Sequence, residues 1–182
     1  MRVTRFFASS SVFVPNDMGE RYGSGTDPAD VKRLEASDSW PAYPNTRRAL
    51  LDCIVQNRIQ NVVFLSGDIH CSNLAAMQFT KDGANLPLKA FSITSSAFYW
   101  PFPFADGNPA DYVHDSTKPD QADDFPLTDG TVMNYRSWSF TQEDNFCRVR
   151  IGKEDQSIEV RFFGADGRTI ADVGDTLQLA PW

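Results

Sequence analysis

Asn61-Val62-Val63-Phe64-Leu65-Ser66-Gly67-Asp68-Ile69-His70-Cys71-Ser72-Asn73 is the stretch that decides how this chain folds. Val62 to Leu65 has the length and composition of a strand buried on both faces. Gly67 ends it, and Asp68 and His70 follow with one residue between them. In extended backbone, residues i and i+2 point to the same side, about 6–7 Å apart. That spacing lets a carboxylate and an imidazole converge on one metal ion, or on two ions about 3.5–4 Å apart that share an oxygen. The carboxyl end of a strand in an open α/β sheet is also where such folds bind ligands. The same residues admit a plainer reading, in which Asp68 caps a turn and His70 packs against the loop. His70 is one of only two histidines, and Ser66, Ser72 and Asn73 are small polar groups of the kind that orient metal ligands.

Upstream of this stretch, Val3 to Ala8 reads as a strand feeding a serine-rich loop. Residues 15–44 hold four of the eleven prolines, with many Gly, Asp and Ser, and read as one long loop; Asp30 to Ala36 fits a short helical turn within it. A helix is expected from about Asn45 to Arg58, with Ala49, Leu50, Cys53, Ile54 and Ile59 inward and Arg47, Arg48 and Asp52 outward. Strand, helix and strand in this order make a βαβ-like unit, with Asp68 and His70 at the second strand's carboxyl end.

Downstream the pattern turns to sheet. Leu74 to Thr80 and Leu88 to Ser95 read as a hairpin around Lys81–Asn85. Residues 97–130 form a second long irregular region. Residues 131–140 suit a strand, and Cys147–Ile151 with Ile158–Phe163 suit a terminal hairpin around Gly152–Gln156. Gly174-Asp175 sits in a weakly patterned context. The expected class is α/β (α+β mixed), sheet-rich, in one domain spanning 1–182 with loops at 15–44 and 97–130.

A chain of 182 residues has room for one sizeable core. Its net charge of −7 and pI near 4.7 lack the basic footprint of non-specific nucleic-acid binding. No apolar run approaches the ~20 residues of a transmembrane helix. The first residues read as a strand rather than a targeting segment, so localisation stays open. Three cysteines are too few for a disulfide framework: Cys53 and Cys147 fit core positions, and Cys71, next to His70, fits a place behind the site. Phe98-Tyr99-Trp100-Pro101-Phe102-Pro103-Phe104 is either packed over the sheet, a lid or a contact surface. Asp111, Asp115, Asp120, Asp123, Asp124 and His114 match no calcium-loop spacing and read as solvated loop.

Several segments together resemble one family. Asp38-Ser39-Trp40-Pro41-Ala42-Tyr43, then Arg47, then Phe64-Leu65-Ser66-Gly67-Asp68-Ile69-His70, with Arg5–Ser11 before and Phe140–Phe146 after, are similar to the C-terminal half of PhoD-like phosphatases (alkaline phosphatase D), within the calcineurin-like metallophosphoesterases. The resemblance implies a β-sandwich flanked by helices, ending in a β-hairpin. It implies hydrolysis of phosphate mono- or diesters at a two-metal centre, with Asp68 and His70 as metal ligands and iron, calcium, manganese or zinc as the ions. Asp38, Trp40, Tyr43 and Arg47 fall where a substrate pocket is expected. Trp40 and Tyr43 suit either a pocket wall, with Tyr43 donating to a phosphate oxygen, or an anchor for the loop. Arg47 suits either a bidentate phosphate contact or a solvated helix face.

The family's early Asp motif, its bridging Gly-Asp segment and its Asn-rich motif have no counterpart here, so no catalytic residue is assigned. The chain is expected to be the C-terminal portion of one incomplete domain, completed by an N-terminal half or a partner chain. The rival expectation is a non-catalytic β-rich module with that fold and no complete metal site.

Overall fold

The computed structural model describes residues 3–16, 39–95, 97–99, 108, 110, 113–122 and 125–181. Two strands come first in chain order, β1 (Arg5–Ser9) and β2 (Val62–Ser66), joined through a 3-10 turn at Trp40–Ala42 and helix α1 (Pro44–Gln56). They pair in parallel, Arg5 opposite Val62 and Ser9 opposite Ser66, which is the expected βαβ unit. Pro44 opens the helix at a first-turn position, where its missing N–H costs nothing.

Next come β3 (Ser72–Lys81), β4 (Ala84–Asn85) and β5 (Ala90–Thr94), then β6 (Phe125–Pro126) and β7 (Val132–Thr141). Among the described residues these make a seven-stranded mixed sheet in the order β1-β2-β5-β3-β7-β6, with β4 attached to β3. β2 and β5 are parallel, while β3 runs antiparallel to both β5 and β7. The expected 74–95 hairpin is therefore present as β3 and β5, and the expected strand at 131–140 as β7.

β8 (Asn145–Gly152), β9 (Ser157–Gly164) and β10 (Thr169–Gln178) form a separate antiparallel sheet in the order β10-β9-β8. Alternation along the strands sends side chains into two cores. Phe64, Ala75 and Met77 join Phe13, Leu51, Ile54 and Val55 on the helix side of the large sheet. Val63, Leu74, Phe91 and Ile93 face the other way, onto Ile158, Val160, Phe162 and Leu177 of the small sheet. Helix, mixed sheet and antiparallel sheet thus stack as three layers. The small sheet is also fixed from the chain end: the buried Asn61 side chain, at the entry to β2, exchanges two hydrogen bonds with the backbone of Ala180 (2.8 and 3.1 Å).

Three expectations need correction. The chain does not end in a hairpin, because β10 adds a third strand. Gly174-Asp175 lies in that strand and ties the two sheets: Trp138 Nε1 donates to Asp175 Oδ2 at 2.9 Å, and Ser139 Oγ to the Gly174 carbonyl at 3.2 Å. The buried stripe of α1 is Arg47, Leu51, Ile54 and Val55, not the one built on Ala49 and Cys53. Cys53 is exposed and Arg47 is only 2 % accessible. His114 and Asp115 are buried rather than solvated. The expected turn at 30–36 lies outside the described residues. No helix among the described residues is long and apolar enough to cross a membrane.

Candidate functional site

Residues 67–71 leave β2 at Ser66 and enter β3 at Ser72. Because β5 lies between those strands in the sheet, this loop arches over the carboxyl end of β5. Asp68 is exposed on it, His70 is half-buried and Cys71 is fully buried. Both Asp68 (φ 86°) and His70 (φ 51°) have left-handed backbone. The extended geometry expected for Asp-x-His is therefore replaced by a tight turn, and the same-side argument for residues i and i+2 does not apply to it. Asp and His are among the few residue types that accept such φ values. Held strain of this kind costs roughly 1–3 kcal/mol per residue and concentrates at functional sites.

The loop's stems are fixed. Ser95 N–H donates to the Ser66 carbonyl at 2.9 Å, carrying the β2–β5 ladder to its last residue. Ser72, on the other stem, turns its hydroxyl toward the small sheet and donates to Asn145 Oδ1 at 2.9 Å. Asn145 Nδ2 in turn donates to the Glu143 carbonyl at 2.7 Å. Cys71, between His70 and Ser72 in the chain, is fully buried.

The aromatic turn reaches the same rim. Trp40 Nε1 donates to Ser9 Oγ at 2.8 Å, and Ser9 is the cross-strand neighbour of Ser66. Trp40 also meets Phe13 edge-on at 5.0 Å, and Phe13 stacks on Phe64 at 3.9 Å. Trp40 is therefore an anchor to the core. Tyr43, at the helix start, is 53 % exposed. Asp38 lies outside the described residues.

Arg47 is not on a solvated face. Its guanidinium lies over the Phe13 ring (5.3 Å) and the Phe125 ring (4.9 Å) and donates to the Phe13 carbonyl at 2.9 Å. Its aliphatic stem fills a core position that a polar/apolar pattern assigns to the surface.

One cluster escaped sequence reasoning. His114 Nδ1 lies 2.7 Å from the Tyr135 hydroxyl, which also accepts from Asn16 N–H at 3.0 Å. Ser137 Oγ donates to the His114 carbonyl at 3.2 Å. The available hint was that His114 follows Val113 and precedes Asp115 within an acidic stretch. Of the aromatic run, the described Phe98 and Tyr99 are 77 % and 75 % exposed rather than packed over the sheet. With Asn145 and Phe146 they border a cleft of about 340 Å³. Cys147 is half-buried, and burial pushes its thiol up to about 12.

Among the described residues, no three His, Cys, Asp or Glu side chains come together as a metal cage. Asp68 and His70, on one loop, therefore belong to no such group among the described residues.

No curated protein matches the chain, and no solved structure does. A family model of the PhoD-like phosphatases matches residues 7–118, a span that holds the end of β1, the Trp40 turn, α1, the Asp68–His70 loop and β5. With more than half of its length under that match, the chain belongs to the PhoD-like phosphatase family.

Proposed function

We propose that this chain carries one wall of a two-metal phosphoesterase centre of the calcineurin-like type, acting on phosphate mono- or diesters. The observation that carries the reading is the loop between β2 and β3, where Asp68 and His70 sit with left-handed backbone at the carboxyl end of a parallel strand. Metal-dependent phosphatase chemistry is general to the family. An oxygen donor with an imidazole nitrogen suits iron, manganese or zinc, and calcium where more oxygens are supplied. Bound there, two ions would clamp the phosphoryl group and activate water. Asp68 and His70 hold the ions in this reading. Tyr43, half-exposed at the start of α1, donates from its hydroxyl to a phosphate oxygen, and Trp40 holds the turn that carries it. Arg47 enters through the Phe13 segment it holds rather than through direct contact.

We further propose that residues 1–182 are the C-terminal portion of a single domain. β1 supports this: it is a parallel strand at the sheet's edge, yet Phe6 and Phe7, which point to opposite faces, are 40 % and 38 % exposed. Parallel strands are normally covered on both faces. The missing third ligand among the described residues favours a second reading, a non-catalytic module in isolation.

Metal analysis of the purified chain, with bis(p-nitrophenyl) phosphate and p-nitrophenyl phosphate as substrates, separates the readings. Metal retained by the chain and lost in both Asp68→Ala and His70→Ala supports the first. A well-folded chain with neither metal nor turnover, alone and when co-expressed with its upstream coding region, sinks it.

A further inference from the structure

Two strands end and a third, β3, begins beneath the Asp68–His70 loop, and each carries a buried polar side chain on the helix side at that end. Ser66 of β2 is paired with Thr94 of β5, and Thr94 with Asn73 of β3. Cross-strand partners share a face, and Phe64 and Ala75, two residues along from Ser66 and Asn73, identify it as the helix side. Thr94 and Asn73 are wholly inaccessible and Ser66 is 8 % exposed. Among the described residues, Ser66 Oγ, Thr94 Oγ1 and Asn73 Oδ1 have no hydrogen-bond partner, nor has Ser92 Oγ one step deeper on β5. Buried polar atoms are nearly always paired, so four orphans in one patch need an explanation.

Strand spacing provides one. Equivalent atoms on neighbouring strands lie ~4.8 Å apart, too far for a direct hydrogen bond. Two hydrogen bonds of about 2.8 Å meeting at one oxygen span nearly that distance. A site with two to four polar partners is what a buried water requires.

We propose that Ser66, Thr94 and Asn73 form an internal water-binding site that ties together the two stems of the Asp68–His70 loop and the strand it arches over. The three residues are positioning residues. Ser66 and Asn73 flank the loop, so water shared through Thr94 fixes the separation of its ends. On the opposite face the Ser72–Asn145 bond anchors the same stem, and the loop is held from both sides. The site depends only on sheet geometry, so it stands whether or not the loop binds metal.

The experiment compares the full chain with Thr94→Val and Thr94→Ser. In the wild type, water–protein NOEs should show a long-lived water at Ser66 and Thr94. Thr94→Val should remove that signal and speed hydrogen exchange of amides 67–71 by about tenfold, with the rest of the sheet unchanged. Thr94→Ser should restore both. Absence of the wild-type water signal overturns the proposal, and this measurement needs no variant to fold. Unchanged loop exchange in Thr94→Val also overturns it. So does a rise of about 5-fold or more in its folding equilibrium constant, the result for a hydroxyl with no partner.

Discussion

Arg47 shows how much one side chain can hold at this end of the molecule. Its guanidinium sits between two phenyl rings and donates to a backbone carbonyl, at 2 % accessibility. Lysine offers a point charge without the planar fork, so Arg47→Lys is not conservative here. Arg47→Ala should cost roughly 2–4 kcal/mol, from the lost hydrogen bond and the cavity left behind; the urea midpoint measures it. A pattern that scores arginine as polar placed this residue outside, because the burial of its stem is written in the tertiary packing and not in local periodicity. Asp68 and His70 were legible as a pair, whereas their left-handed backbone was not. Nothing in Asp-x-His distinguishes a strand end from a tight turn.

The thiols give a second prediction at the same scale. Cys53 is exposed, Cys71 buried and Cys147 half-buried. At pH 8 a maleimide should label the folded chain once, at Cys53, as peptide mapping will show. Burial raises the Cys147 thiol from 9 to about 12, so the folded state keeps a proton that the unfolded state releases. The stability linked to that proton is complete below pH 9 and is lost as pH rises toward 12. The wild type should therefore lose stability against Cys147→Ala between those limits, and no difference should develop between pH 6 and 8. Parallel urea titrations test this.

At the scale of elements, the helix stripe and β10 were the misread parts, for different reasons. The Ala49–Leu50–Cys53–Ile54 stripe and the true Arg47–Leu51–Ile54–Val55 stripe are offset by a fraction of a turn and share Ile54. Two variants separate them: Leu51→Ala should cost about 2–5 kcal/mol, and Cys53→Ala under ~0.5. β10 is mostly exposed and its register shifts between Thr169 and Gly174, which erases a period of two from the sequence. The shift depends on Gly174, whose φ is 113° and whose added Cβ would lie 2.5 Å from the Val160 carbonyl oxygen. Gly174→Ala should therefore destabilise the small sheet by more than ~1 kcal/mol, seen as faster amide exchange in β9 and β10 with the large sheet unaffected. Strands buried on both faces, such as β2, were plain in the sequence because burial imposes composition.

For the whole molecule, the question is whether three layers and one loop suffice to bind an ion. The family match covers residues 7–118 and leaves β6 to β10 wholly outside it, but the small sheet reaches the loop through Ser72 and Asn145. Any ion bound by Asp68 and His70 in the folded chain, and not in the unfolded one, must add to stability by mass action. At a free concentration of 100 times Kd the gain is about 2.7 kcal/mol. For a chain of this size each kcal/mol moves Tm by roughly 2–4 °C. Titrating manganese or zinc into chelator-treated protein should raise Tm by several degrees, and Asp68→Ala and His70→Ala should both abolish the rise. A shift that survives both substitutions would place the ion elsewhere. If Tm does not move until the upstream portion is supplied, the loop is one wall of a site that two parts of a longer chain complete. The exposed faces of β1 at Phe6 and Phe7 should then become protected in the same preparation.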